Sequence, residues 1–291
     1  MGFGQFVLRG FRNPPTVSIL RLAGPIGDGG RFSRGLEDAA LAPLIDKAFK
    51  PRGLAAVALA INSPGGAPAQ AAMITARIRD LAVEKKVPVL AFCEDVAASG
   101  GYMLACAADE IFVEENSIIG SIGVISSSFG FSEAMEKLGV ERRLQTAGEA
   151  KARLDPFSPR KSEDEIWLAA LQSKIHENFI AMVRRARGGR LGAEPPASLF
   201  SSEVFRGEEA VRLGLADGVG RLRPVLKERF GKDVRLAPVE PKKGMLSRFG
   251  LGAAAPGLEQ PGAFGASIGG GAAERLLEAV ETRALWGRFG L

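Results

Sequence analysis

Apolar and polar positions along the chain fall into blocks whose period changes. Val17 to Leu22 is an apolar-rich run closed by Gly24-Pro25, which predicts a strand. Leu54 to Ile61 is a continuous run of small apolar residues, as expected of a strand buried on both faces. Asn62-Ser63-Pro64-Gly65-Gly66 breaks it, and Ile74, Ile78 and Leu81 then recur at helical spacing. Val87 to Phe92 predicts the next buried strand. Ser99 opens a short helix of small residues reaching about Ala107, and Glu110 to Val113 returns to strand. Such alternation argues for an α/β domain with a largely parallel sheet. Farther on, Ser162 with Glu165 predicts a capping-box start for a long helix. Leu168, Leu171, Ile175, Phe179 and Met182 form its expected buried face, and Gly188-Gly189 its end. A further short helix and turn are expected between Gly207 and Leu215.

The ends of the chain have a different texture. Residues 1–13 form an N-terminal arm in which Phe3, Phe6, Val7 and Phe11 are interspersed with Arg9 and Arg12, a candidate for membrane-surface contact. Pro14 and Pro15 close it, and residues 14–240 form the expected catalytic-type domain. The composition then shifts: nine glycines fall between 244 and 271, so 241–272 reads as a flexible Gly/Ala-rich linker. Residues 273–291 form an amphipathic C-terminal segment, and Arg-Phe-Gly-Leu occurs at both 248–251 and 288–291.

Composition narrows the classes. At 291 residues the chain can bury a sizeable core without disulfide or metal staples. A net charge of +5 is spread along the sequence, and its densest basic run, Arg184 to Arg190, lacks the aromatic interleaving of a nucleic-acid reader, so no nucleic-acid partner is expected. Cys93 and Cys106 make neither a disulfide framework nor a Cys-x-x-Cys pair. No apolar run reaches the roughly 18 residues of a membrane span and no secretory signal is seen, so a cytoplasmic or peripheral inner-membrane location is expected.

Several chemistries lack their motifs. There is no phosphate loop, no His-Glu-x-x-His and no Gly-x-Ser-x-Gly. The single histidine, His176, lies on the predicted long helix and reads as a packed or surface residue. What remains are two glycine-rich breaks directly after buried strands, 62–66 and 97–102, where α/β sheets collect ligands. An N–H from each break would serve as an oxyanion donor. A serine between them needs a base, and without a usable histidine a neutral lysine can serve. Lys151 stands among Gly148, Ala150 and Ala152, but the residues alone do not choose it over other lysines.

Taken in order, Ser63-Pro64-Gly65-Gly66, Ala98-Ser99-Gly100-Gly101-Tyr102, Gly120-Ser121-Ile122-Gly123-Val124 and Gly148-Glu149-Ala150-Lys151 resemble the signal peptide peptidase A family, bacterial serine peptidases of the Clp protease/crotonase superfamily. The resemblance covers roughly residues 16–230 and extends to Pro156-Phe157, Phe205-Arg206-Gly207 and Gly214-Leu215-Ala216-Asp217. It implies repeated β-β-α units, Ser99 as nucleophile, Lys151 as general base 52 residues later, Ser121 orienting the lysine amine, and backbone amides of Gly66 and Gly100 as the oxyanion hole. It also implies no metal or other cofactor, a homo-oligomer whose sites are shared between subunits, and peptide or unfolded apolar polypeptide substrates, including signal-peptide remnants. In some relatives the C-terminal segment occupies a neighbouring site, which the tail ending Phe289-Gly290-Leu291 would imitate.

Three other readings stay open on the residues. The first is a crotonase-like acyl-CoA enzyme using Glu94 or Asp95, the second an inactive scaffold, and the third a phage-type capsid-maturation protease. If Gly66 serves through its amide, Gly66→Val is expected to damage activity more than folding.

Overall fold

The computed structural model describes residues 14–27, 35–192, 195–240, 280 and 283–289. The N-terminal arm and the Gly/Ala-rich linker lie outside the described residues. Of the C-terminal segment only 280 and 283–289 are described, with 283–287 helical.

The apolar runs form the centre of one sheet. Strands β1 (Thr16–Ala23), β2 (Leu54–Ser63) and β3 (Val89–Ala98) lie side by side and parallel, with β8 (Arg235–Pro238) on the outer edge of β1. On the other side, β3 serves two partners. Its first half pairs with β4 (Glu110–Val113), and its last three residues pair with β5 (Ile118–Gly120). Outside these lie β7 (Gly218–Val219), parallel to β4, and β6 (Val204–Arg206), which is antiparallel to β5. The α/β class with a largely parallel sheet is therefore what the alternation predicted. The change of partner along β3 has a local cause. The register against β2 slips between Ile61↔Cys93 and Ser63↔Ala97, leaving two extra residues on β3. Asn62 holds this bulge, donating to Asp95 Oδ2 at 2.7 Å and accepting from the Val96 N–H at 3.2 Å.

Two helices cover one face beside β1–β3. α2 (Pro68–Lys85) begins on a proline in its first turn, where no N–H is required, and ends at Lys86 in the left-handed conformation. Its Ile74 and Ile78 are fully buried; each such side chain contributes about 1.5–3 kcal/mol. α1 (Asp38–Ala48) carries Pro43 inside it, the residue that hid this helix from a pattern reading. Asp38 and Arg77 clamp α1 to α2 through two bonds of 2.6 and 2.7 Å. The Arg77 hydrogen bonds hold the Asp38 carboxyl below its ordinary range. The opposite face of the sheet is covered by α7 (Leu222–Phe230), whose Leu226 packs with Val17, Ala58 and Phe92.

The remaining helices are α3 (Gly100–Ala105), α4 (Ser132–Lys137), α5 (Ser162–Arg187) and α6 (Gly207–Arg212). α3 is buried throughout. α5 departs from expectation twice. It starts at Ser162 without a side-chain cap, its N-cap being Lys161, so the predicted capping box does not form. An acidic first turn of Glu163, Asp164 and Glu165 complements the helix dipole instead. Of its expected buried face only Phe179 is buried. Leu171 is exposed, and Leu168, Ile175 and Met182 are half-buried. Periodicity marked the apolar side, but in the first half of the helix no apolar residue is buried. The same holds for the preceding segment: no residue from Gly123 to Glu163 is buried, although Ile125, Phe129, Phe131, Leu138, Val140 and Phe157 lie within it.

Candidate active site

Ser99 sits between the last residue of β3 and the first of α3. Its backbone is at φ 52, ψ −123, a conformation that a non-glycine residue adopts only under constraint. The constraint is visible on both sides. Its N–H donates to Gly120 O on β5 at 2.9 Å, and its carbonyl accepts from the N–H groups of Tyr102 and Met103 at 2.9 and 3.1 Å. A serine on a sharp strand-to-helix turn projects its hydroxyl out of the sheet. Ser99 is accordingly half-buried while its neighbours Ala98 and Gly100 are buried.

The first glycine-rich break folds against this turn. A Cβ added to Gly65 would come within 2.8 Å of Ser99 Cβ and 2.9 Å of Gly100 N, and one added to Gly100 would lie 3.4 Å from Gly66 N. Residues 65, 66, 99 and 100 are therefore mutually packed through backbone. The Gly66 N–H is not spent on the neighbouring bridge to Ile26, which runs from Ile26 N to Gly65 O and from Ala67 N to Ile26 O, both at 2.8 Å. Gly100 opens α3, so its N–H has no partner within the helix. The amides of Gly66 and Gly100 therefore belong to the same packed group as Ser99.

Ser121 follows β5, whose Gly120 carbonyl receives the Ser99 N–H. It is buried, has φ 50, and donates its N–H to Glu203 O at 2.7 Å. Lys151 is placed differently. It lies on a single 3-10 turn, Glu149–Ala152, and is exposed. Within the chain its hydrogen bond is from its backbone N–H to Gly148 O, at 3.2 Å. Backbone contacts join Ser99, Gly66, Gly100 and Ser121, whereas Lys151 lies on an exposed turn of a different segment.

Other candidates are occupied elsewhere. Glu94 pairs with Arg21 at 2.7 Å, and Asp95 accepts from Asn62. His176 is half-buried, with Nε2–H donating to Ile122 O at 2.9 Å, the packed histidine that the sequence suggests. Burial pushes the thiols of Cys93 and Cys106 up to about 12, which leaves them protonated and unreactive at neutral pH. Two features were not read from the sequence. One is the strained elbow at Ser99, which arises here without Gly-x-Ser-x-Gly. The other is the support beneath it: Tyr102 is fully buried and donates its O–H to Leu215 O at 2.8 Å.

A profile of peptidase family S49 matches residues 82–232, a span that includes Ser99, Ser121 and Lys151. The chain belongs to peptidase family S49. Among its relatives, Protease 4 of Haemophilus influenzae is 28% identical over 214 residues, covering 73% of this chain and 34% of that protein. The chloroplastic serine protease SPPA of Arabidopsis thaliana is 30% identical over 171 residues, covering 57% of this chain and 24% of that protein. A Brucella abortus protein named Na(+)/H(+) antiporter NhaA is 47% identical over 291 residues, which is 99% of this chain and 39% of that protein. The chain thus spans about two fifths of that relative's length or less in each of these three. Among the described residues no helix is long and apolar enough to cross a membrane.

The geometry corrects one expectation. A Cβ on Gly66 would sit 2.1 Å from Ile26 O, at φ +141. A side chain there must break the bridge to Ile26 as well as crowd the amide. Gly66→Val should therefore lose about 3 kcal/mol of stability and its activity together, not activity alone. Thermal unfolding run beside a peptide-cleavage assay checks this; an inactive variant with unchanged unfolding would restore the original expectation.

Proposed function

We propose that the chain is a serine endopeptidase that cleaves unfolded, apolar polypeptides, signal-peptide remnants among them, through an acyl-serine intermediate. The observation that carries this is the strained Ser99 turn packed against the backbone of Gly65, Gly66 and Gly100. In the reaction, Lys151 Nζ takes the Ser99 hydroxyl proton as Oγ attacks the scissile carbonyl. The carbonyl oxygen becomes an oxyanion between the two glycine N–H groups. The C–N bond then breaks, the amine leaves with the proton from Lys151, and water hydrolyses the ester by the same route. Ser121, beside Ser99, is proposed to orient the lysine amine.

The reading includes a homo-oligomer in which one subunit supplies Ser99 and its neighbour Lys151, a role that the exposure of Lys151 suits. The uncovered apolar residues between 123 and 171 suit that role as a subunit interface. The N-terminal arm is proposed to touch a membrane surface. Two residues beyond the arm, the Pro15 carbonyl accepts from the Arg235 N–H at 2.8 Å beside the start of β1.

The Brucella relative's name raises a second reading, ion exchange. The family match over 82–232 and the Ser99 geometry favour peptidase chemistry for this segment.

The test is covalent. A serine-directed fluorophosphonate should modify wild type at Ser99, located by peptide mass spectrometry, and abolish cleavage of a quenched unfolded polypeptide. Ser99→Ala should neither label nor cleave. Full cleavage by Ser99→Ala would refute the reading, and turnover of acyl-CoA thioesters without peptide cleavage would favour the crotonase-like one.

A further inference from the structure

We propose that Asp164 sets the backbone turn that presents Lys151, and is thus a positioning residue for the general base; this rests on Lys151 acting as that base. Asp164 lies in the first turn of α5 and is 7% exposed, the first buried residue after a stretch from Gly123 in which none is. A carboxylate is the least expected side chain to be buried there unless it is paired. The helix start does not need it, since Glu163 and Glu165 in the same turn are exposed and already complement the dipole.

Both oxygens of Asp164 are directed at the residues that follow Lys151. Oδ2 accepts from the Leu154 N–H at 3.3 Å, and Oδ1 pairs with Arg153 Nε at 3.4 Å. The Arg153 guanidinium also lies over the Trp167 ring of α5, 5.2 Å from its centroid. Leu154 is the second observation. Its φ is 55, a left-handed conformation that a side chain with a Cβ disfavours. Something must hold it, and Asp164 binds the amide of that same residue. Three residues after Lys151, the chain is fixed in a reversal it would otherwise leave. Beyond it, Asp155 accepts from Ser158 Oγ at 2.6 Å and pairs with Arg142, which anchors the far side of the turn. Released from Asp164, Leu154 would relax to a right-handed or extended conformation and carry Lys151 away from its neighbour's Ser99.

The test exploits the strain. Asp164→Ala should lower kcat about tenfold or more with KM within about twofold of wild type, in an oligomer of unchanged size. Asp164→Asn, which can still accept the Leu154 N–H, should retain most activity. Adding Leu154→Gly to Asp164→Ala should recover most of the loss, because glycine holds a positive φ without help. Hydrogen exchange over residues 148–158 should accelerate in Asp164→Ala. Full activity in Asp164→Ala beside a dead Lys151→Ala overturns the positioning role alone. A loss in Asp164→Ala that comes with dissociation and is not recovered by Leu154→Gly also overturns it, since that is a structural effect. An active Lys151→Ala refutes the dyad itself, and the positioning role with it.

Discussion

Ser99→Ala and Lys151→Ala subunits, each inactive alone, should regain about a quarter of wild-type activity when mixed equally and reassembled, because each proposed shared site would draw one residue from each of two randomly placed neighbours. Each single variant should lose about a thousandfold or more in kcat, as expected for removing the nucleophile or its only base. The expectation of rescue follows from where the two residues lie. Ser99 is held by β5 and α3 at the end of the central sheet. Lys151 precedes α5, a helix of 26 residues that is about 39 Å long at 1.5 Å per residue. Apart from Asp164 in its first turn, α5 is buried only toward its C-terminal end, and the stretch bearing Lys151 has no buried residue of its own. A segment this apolar and this uncovered would gain its packing from another chain in the proposed oligomer. Absence of recovery, after subunit exchange is verified by mass spectrometry of isotope-labelled partners, would place both halves of the dyad in one chain. Dilution below the assembly threshold should abolish wild-type activity for the same reason.

Arg187→Ala should cost about 3–5 kcal/mol of stability, the usual consequence of leaving one member of a buried ion pair alone, and lower Tm by roughly 10 °C. Arg187 is 1% exposed at the end of α5. Its Nε donates to Gly214 O and its Nη1 to Asp217 Oδ2, each at 2.8 Å. Asp217 Oδ2 also accepts from the Ile111 N–H at 2.7 Å, and Oδ1 pairs with Arg190 at 2.8 Å. One carboxylate therefore ties α5, β4 and the loop after α6. That loop includes Leu215, whose carbonyl receives the Tyr102 hydroxyl below Ser99. Asp217→Ala should match Arg187→Ala within about 1 kcal/mol, since each leaves the other partner unsatisfied. Arg79→Ala, which breaks a half-exposed pair with Asp109, should cost less than about 1 kcal/mol. Calorimetry on the three variants decides the matter; equal, small effects would show that the Arg187–Asp217 pair is not a keystone.

The central strands are legible from their apolar runs, most clearly that of β2, which is buried on both faces. Glu110 to Val113 coincides with β4, the runs at Val17 and Leu54 fall within β1 and β2, and the run from Val87 overlaps β3 only over 89–92. Short elements were not. β5 and β6 have three residues each, too few for a period to show, and α1 was masked by Pro43. α5 shows a different limit: a pattern reveals which face is apolar but not whether anything lies against it. At the site, Ser99 and the glycines could be found as breaks after buried strands. Lys151 had no comparable local signal, and its exposed 3-10 turn explains why. No packing in its own chain singles it out, so only ordered motifs pointed to it. Asp164 and Leu154 were invisible as a pair, since their relation exists only in the folded turn.

The chain has two cysteines, and both are sealed in the core with thiols pushed up to about 12. A maleimide dye at neutral pH will therefore pass over the native protein. Glu149→Cys, on the exposed turn beside Lys151, offers a single attachment point with no native thiol to remove first. Fluorescence energy transfer between dyes at that position would then report the spacing of neighbouring turns in the proposed oligomer.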